Sequence, residues 1–349
     1  MNAYESNVDL DAAAQHIIGA EHLVLATHAK PDADAYGSTL ALARALQTLG
    51  KSGDAWLMPP VPANLRVLIG SELLRWHEPE SDLGNPDLVV VLDTGAWSQV
   101  LPMRSFLEQK ANRMLIIDHH LSGDIPAAWR HINGKAAACC ELVAMLLPKL
   151  DPNTDLLADP VVRDALFVGL AGDTGWFRFS NTRERSHLIA AQLLAHGVDH
   201  ARLYRQLQQT ERPQKLKLMA RALQNLEWLA DKRVALLVLS ETDFAESNAL
   251  VEETEHIVDL PQMVESVEVV VLVTEAPAAK VGEPIRLSFR SKPGPNAIDV
   301  SALANRFGGG GHARAAGARL PGPLDRALKS VREALVTAVV GATKNGQVI

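Results

Sequence analysis

Three short, largely apolar runs mark the first part of the chain: HLVLATH (22–28), DLVVVLDTG (87–95) and RMLIIDHH (113–120). A strand with one wet face alternates apolar and polar residues. These runs instead stay apolar along their length, as strands buried on both faces do. Helical patterns come between and after them: STLALARALQTLG, ending at Gly50, then stretches at 137–150 and around 186–196. Buried strands alternating with helices predict an α/β domain with a mostly parallel sheet, placed over residues 1–200.

Beyond about residue 200 the texture changes. YRQLQQTERPQKLKLMARALQNLEWLA reads as a polar helical connection interrupted by Pro213, so a helical linker is expected over 201–232. RVALLVLSET (233–242), EVVVLVTEA (268–276) and IRLSFRSK (285–292) read as three strands, with an acidic helical stretch between them and two helices after them. These predict a smaller α+β domain over 233–342. A length of 349 residues agrees with two cores rather than one.

Composition narrows the class. No apolar run approaches the roughly 20 residues a membrane span requires. The start, MNAYESNVDL, lacks the basic and apolar segments of a signal peptide, so a cytoplasmic protein with no membrane partner is expected. The two cysteines, Cys139 and Cys140, are adjacent in a helical pattern, which favours small buried side chains over a disulfide or thiolate site. A net charge of −7 argues against tight binding to long nucleic acid, which depends on neutralising many phosphates. A small anionic substrate drawn to local positive charge is compatible with it.

The acids and imidazoles are not scattered. HLVLATH runs into HAKPDADAYGS, which places His28, Asp32 and Asp34 in one stretch. DLVVVLD ends at Asp93, and MLIID ends at Asp118 with His119 and His120 next. A fourth apolar segment, ALFVGLAGDTG, delivers Asp173. Ligands of open α/β sheets bind outside the carboxyl ends of the strands, so these residues should meet in one crevice. Singly, each acid could be a turn residue and His28 a core histidine. Together they would repel one another unless cations sat between them. Carboxylates and imidazoles without thiolates suit Mn²⁺ or Mg²⁺, and two such ions are the usual device for displacement at phosphorus.

The same stretches resemble the motifs of the DHH phosphoesterase superfamily, in the branch that carries a DHH-associated C-terminal domain. HAKPDADAYGS is similar to its first motif, VVVLDTG to its second, IIDHHLSG to its third and GLAGDTGWFRFSNT to its fourth. FGGGGHARAAG (307–317) resembles the glycine-rich signature of the C-terminal domain. The resemblance implies two divalent ions, Mn²⁺ before Mg²⁺ or another. His28 and Asp32 would hold the first ion, Asp34, His119 and Asp173 the second, and Asp93 would bridge them. It implies that His120 contacts the scissile phosphate and that Asp118 orients a neighbouring histidine. Length and texture match the bacterial nanoRNase and 3′-phosphoadenosine-5′-phosphate (pAp) phosphatase type. The implied substrates are short single-stranded RNA or DNA oligonucleotides, dinucleotides such as pApA, and pAp. A RecJ-like single-strand exonuclease and a catalytically silent nucleotide-binding protein are the alternatives, and a homodimer is left open.

Residues 286–319 hold six basic residues (Arg286, Arg290, Lys292, Arg306, Arg314 and Arg319) against Asp299 alone. Glycines let backbone approach a nucleotide closely, and arginine can grip phosphate through two hydrogen bonds. Arg290, Gly309, Gly310, Gly311, His312 and Arg314 are therefore the expected substrate-binding residues. The competing reading is a flexible glycine turn between two helices with a solvated basic face.

Overall fold

A computed structural model describes residues 4–275, 285–294 and 297–345, with side chains through 339. It divides into two compact units, 1–210 and 211–349.

The first unit begins with α1 (Leu10–Gly19), β1 (His22–Ala29), α2 (Ala33–Thr48), β2 (Ser52–Met58), β3 (Leu74–Trp76) and β4 (Leu88–Leu92). It continues with α3 (Arg104–Gln109), β5 (Met114–Asp118), β6 (Trp129–Ile132), α4 (Cys139–Leu150), α5 (Pro160–Asp173), α6 (Glu184–Ala195) and α7 (His200–Gln208). Its sheet has the order β3-β2-β1-β4-β5-β6 and every pairing is parallel. From β1 the chain winds outward through β2 and β3, then returns and winds the other way from β4. The switch point therefore lies between β1 and β4, where an open sheet leaves a crevice for a ligand.

The apolar runs are buried on both faces because each face has its own cover. Leu23, Leu25, Val90, Leu92, Leu115 and Ile117 pack with residues of α1, α2, α4 and α5. Val24, Val89, Val91, Met114 and Ile116 pack instead with Val100, Met103 and Leu107. The fourth apolar segment is not a strand. It is α5, a helix apolar nearly all round because it lies among other helices. Two glycines allow that close packing. A Cβ on Gly37 of α2 would stand 2.4 Å from the Ala165 carbonyl oxygen, and one on Gly169 of α5 would stand 2.2 Å from Cys140 Sγ. Cys139 and Cys140 are both buried.

The second unit contains α8 (Pro213–Gln224), β7 (Glu227–Leu229), β8 (Val234–Leu239), α9 (Glu241–Ser247) and β9 (Val269–Thr274). After these come β10 (Ile285–Ser291), α10 (Val300–Asn305), β11 (Gly310–His312), β12 (Ala315–Leu320) and α11 (Leu324–Asn345). Ala276, the expected end of the 268–276 strand, lies outside the described residues. The sheet order is β11-β12-β10-β9-β8-β7, with β8 and β9 parallel and the other pairs antiparallel. One face carries α10 and α11; over β8 and β9 the other carries Leu218, Ala222 and Phe244 of α8 and α9.

One expectation and one competing reading change here. The stretch 201–232 is not a separate linker, since Leu203 and Leu207 belong to the first core and Leu218 and Ala222 to the second. The apolar stripes of α7 and α8 are each used by a different unit. The glycine-rich segment is not a turn between two helices either, because it forms the hairpin β11–β12.

Candidate metal centre

The crevice at the switch point is built from four pieces of chain. His28, near the end of β1, puts its Nε2 3.5 Å from Asp93 Oδ2 and 3.9 Å from Asp32 Oδ1. Asp32 is the N-cap of α2, its Oδ1 accepting the Asp34 and Ala35 N–H groups at 3.0 Å each. Asp93 follows β4 with a φ of 62° and donates its backbone N–H to Ile117 O at 3.0 Å. A side chain in that left-handed region costs roughly 1–2 kcal/mol, and such strain gathers at functional sites.

His119 meets three carboxylates at once. Its Nε2 lies 3.2 Å from Asp93 Oδ1, 3.3 Å from Asp173 Oδ2 and 3.8 Å from Asp34 Oδ2. Asp173 arrives on the last residue of α5 rather than on a strand. Asp34 is wholly buried and also accepts the Cys139 and Cys140 N–H groups at the start of α4. Those bonds do for α4 what its own N-cap, Ala138, cannot, and a cap is worth about 1 kcal/mol. The adjacent cysteines therefore contribute through their backbone, while burial pushes both thiols well above the usual range.

Proton affinities follow from this crowding. Burial works against charge on His28 and His119, but is outweighed by Asp93 and the other carboxylates, so they rise to about 9 and about 10. Burial, then the charges of Asp32 and Asp93, lift Asp173 to about 7. Burial, then Asp93 and Asp173, push Asp34 well above the carboxylate range. Asp93 stays below that range because the two imidazoles offset its burial. Imidazolium protons thus occupy the places where cations would relieve the same repulsion.

The residues fit divalent ions on a further ground. Among the described residues, the buried Asp93 Oδ1 and His119 Nε2 have no hydrogen-bond partner. They are close, yet not aligned on each other. A buried polar atom left unpaired costs roughly 1–3 kcal/mol, and a cation would satisfy both. Ligand atoms within 4.8 Å of one another form three groups: His28, Asp32 and Asp93; Asp34, His119 and Asp173; and Asp93, His119 and His120.

Asp118 is spoken for. Its Oδ1 accepts the His119 and His120 N–H groups at 2.8 and 3.1 Å and stands 2.8 Å from His120 Nδ1, while Oδ2 accepts the Tyr4 hydroxyl at 2.6 Å. It fixes His120, whose pKa it raises through the ring hydrogen bond, and whose ring stays half exposed. Tyr4 has no counterpart in the sequence reading. Gly95 and Gly123 give it room: a Cβ on the first would stand 1.9 Å from the Tyr4 hydroxyl oxygen, and one on the second 2.4 Å from a Tyr4 ring carbon.

The expected substrate-binding residues of the second unit are arranged differently. Gly309 passes so close to β12 that a Cβ would stand 2.1 Å from the Gly317 carbonyl oxygen. Gly310, Gly311 and His312 form exposed β11. Arg290 is held by Asp259, with Nε 3.2 Å from Oδ1. Arg314 donates Nη1 to Ile298 O at 3.2 Å and to Ser291 Oγ at 3.3 Å. Arg286 and Arg319 stand directly opposite one another on β10 and β12, an arrangement of like charge that is unfavourable by itself. They line a groove of about 410 Å³ with Ser288, Gly308, Gly309 and Gly317.

Comparison with known proteins shows which family the two units resemble. Residues 22–170 match the DHH family, N-terminal domain, and residues 232–337 match the DHHA1 domain. A bifunctional oligoribonuclease and PAP phosphatase NrnA of Thermus thermophilus is 33% identical over 324 residues, covering 90% of this chain and 91% of that one. A probable protein of the same name from Streptococcus mutans is 28% identical over 304 residues, covering 85% and 88%. The fold is shared with an exopolyphosphatase-related protein from Bacteroides fragilis, at a TM-score of 0.83 and 23% identity, covering 96% of this chain and 97% of that one.

Proposed function

Because this chain belongs to the DHH family, with a DHHA1 domain behind its catalytic unit, we propose that it is a phosphoesterase hydrolysing short 5′-phosphorylated oligonucleotides to mononucleotides and pAp to AMP. The observation that carries this reading is the pair of buried, unpartnered atoms, Asp93 Oδ1 and His119 Nε2, set among carboxylates at the switch point. His28 and Asp32 would hold one divalent ion and Asp34, His119 and Asp173 another, with Asp93 between them; Mn²⁺ fits the donor set. Such ions supply Lewis acidity, lowering the pKa of a water and offsetting charge on a phosphate.

The remaining work falls to the chain. Asp118 keeps His120 Nδ1 engaged, which leaves Nε2 as the nitrogen directed at a ligand. The Asp118 hydrogen bond raises the pKa of His120, so the ring holds a proton to higher pH than a free imidazole and can donate it to a phosphate oxygen or to the departing alkoxide. Tyr4 holds the second oxygen of Asp118, so the imidazole cannot swing away cheaply. In the second unit His312 and the exposed backbone of β11 are the groups we assign to the nucleotide beyond the scissile bond. Arg290, Gly309 and Arg314 shape the hairpin that presents them.

The test is hydrolysis of pAp, pApA and a long single strand by protein stripped with chelator and by the same protein given Mn²⁺. We expect turnover of the two short substrates to vanish on stripping and return with Mn²⁺, with the long strand processed poorly. Undiminished activity in excess chelator would sink the two-ion reading, and preference for the long strand would sink the substrate class.

A further inference from the structure

Asp173 is followed by three consecutive residues in the left-handed region: Gly175, Trp176 and Phe177, at φ 55°, 58° and 63°. Glycine adopts this conformation freely, but two bulky aromatic residues do not, and each costs roughly 1–2 kcal/mol there. Strain of this size persists only where surrounding structure enforces it. The enforcement is visible. The Trp176 ring packs edge-on against Tyr204 and Phe167, with centroids at 4.8 and 6.2 Å, and the Phe177 ring stacks on His187 at 5.5 Å. The Trp176 N–H donates to Ala171 O at 2.7 Å.

The outcome of that turn is one exposed ring. Phe179 is 55% exposed, and its ring lies across the bare α-carbon of Gly175, where a Cβ would stand 2.4 Å from Phe179 Cζ. Its N–H and that of Arg178 both donate to Thr174 O, at 3.0 and 2.9 Å. Asn181 closes the loop by donating Nδ2 to Asp173 O at 3.0 Å. The same rigid stretch therefore fixes an acid of the metal centre and an aromatic face open to solvent. Isolated exposed apolar residues are common and require no explanation. A strained turn with a side-chain-free rest beneath the ring, tied to the backbone of Asp173, does.

We propose that Phe179 is a stacking platform for the nucleobase attached to the sugar nearest the reacting phosphate. This rests on the phosphoesterase reading above and adds a recognition element for that site. An uncharged ring offers nothing to phosphate, which the cations and His120 attract, but it offers a π-face to a base. Base–aromatic stacking is worth roughly 1–3 kcal/mol and tolerates any base, because every base has such a face. Phe179 thus selects for nucleotides over other phosphate esters without selecting among bases.

The experiment compares binding of AMP and ribose 5-phosphate, which lacks only the base, to the full Mn²⁺-loaded chain by calorimetry. The wild type should bind AMP about tenfold more tightly. Phe179→Ala should bring that ratio close to one while leaving the ribose 5-phosphate affinity unchanged, and Phe179→Tyr should keep it. An unchanged ratio in Phe179→Ala, full retention in Phe179→Leu, or a wild type indifferent to the base would each overturn the platform. Turnover of pApA is measured alongside. A base preference that Phe179→Ala removes, in a protein that does not hydrolyse pApA with Mn²⁺, would sustain the platform and overturn the hydrolytic reading instead.

Discussion

At the switch point of the first sheet, Asp93 and His119 face each other buried and unsatisfied. On the hairpin side of the second sheet, the most conspicuous cations, Arg290 and Arg314, are held by Asp259, Ile298 and Ser291. One region crowds more carboxylates than its imidazoles can satisfy, while the other gives two of its arginines neighbours of their own. A buried cluster of groups with strongly shifted proton affinities is a candidate for binding something foreign. Arg290 and Arg314 are already engaged, even inside a motif rich in arginine and glycine. That is why the binding role we propose for the second unit rests on backbone and His312 more than on these two guanidinium groups.

The contrast is broken most directly at Asp93. Asp93→Ala should reduce turnover of pAp and pApA by well over the ~10–100-fold typical of residues that stand behind metal ligands. It should leave the far-ultraviolet circular dichroism intact. A rate within a few-fold of wild type would show that the crevice is not the reaction centre.

Proton linkage gives the next largest effect. In the metal-free protein His28 and His119 have pKa values of about 9 and about 10, so both are protonated at pH 7 and must lose those protons to bind an ion. Affinity for Mn²⁺ should therefore rise with pH from 7 to 9 and fall as pH drops, by about tenfold per pH unit for each proton displaced. Calorimetry in buffers of different ionisation enthalpy counts the protons. A pH-independent affinity with no proton release would remove the histidines from the ligand set.

Asp118→Asn should come third, with a loss in kcat of roughly 10–100-fold, because His120 would keep a partner but lose the charge that holds its proton and aim. Tyr4→Phe should cost less, about fivefold, through one lost hydrogen bond. If both variants match wild type in kcat, the chain from Tyr4 to His120 has no role in the reaction.

The smallest effects sharpen the second half of the comparison. Arg314→Ala should lower stability by about 1 kcal/mol, since Ile298 O and Ser291 Oγ lose a charged donor at a partly exposed site. His312→Ala should leave stability unchanged and raise KM for pApA. Urea melts and steady-state kinetics on both variants separate the two roles. The reverse pattern would make Arg314 the binding group.

Much of this is legible in the sequence. Residues doubly buried in a parallel sheet give unbroken apolar runs, and each run hands its charged neighbour to the same edge, so the gathering of His28, Asp93 and His119 follows from pattern alone. Asp173 was legible as an acid, but its carrier was not, because a helix buried all round looks like a buried strand over a few residues. The short, half-polar strands β2, β3 and β6 carry no such signal. Nor does Tyr4, whose partner Asp118 lies 114 residues away. Gly95 and Gly123 each make room for its ring, which their sequence neighbours do not disclose. The surroundings of Arg290 and Arg314 were hidden for a different reason. Sequence counts charges, and only the fold tells which are already engaged.

Tyr4 has a practical consequence for anyone working with this protein. The residue that buttresses Asp118, and through it His120, has its ring wedged beside Gly95 and Gly123 and belongs to neither hydrophobic core. Truncating that one side chain would act on the proposed reaction centre while leaving both cores untouched. Such a variant would look folded by bulk measurements and still give a low specific activity.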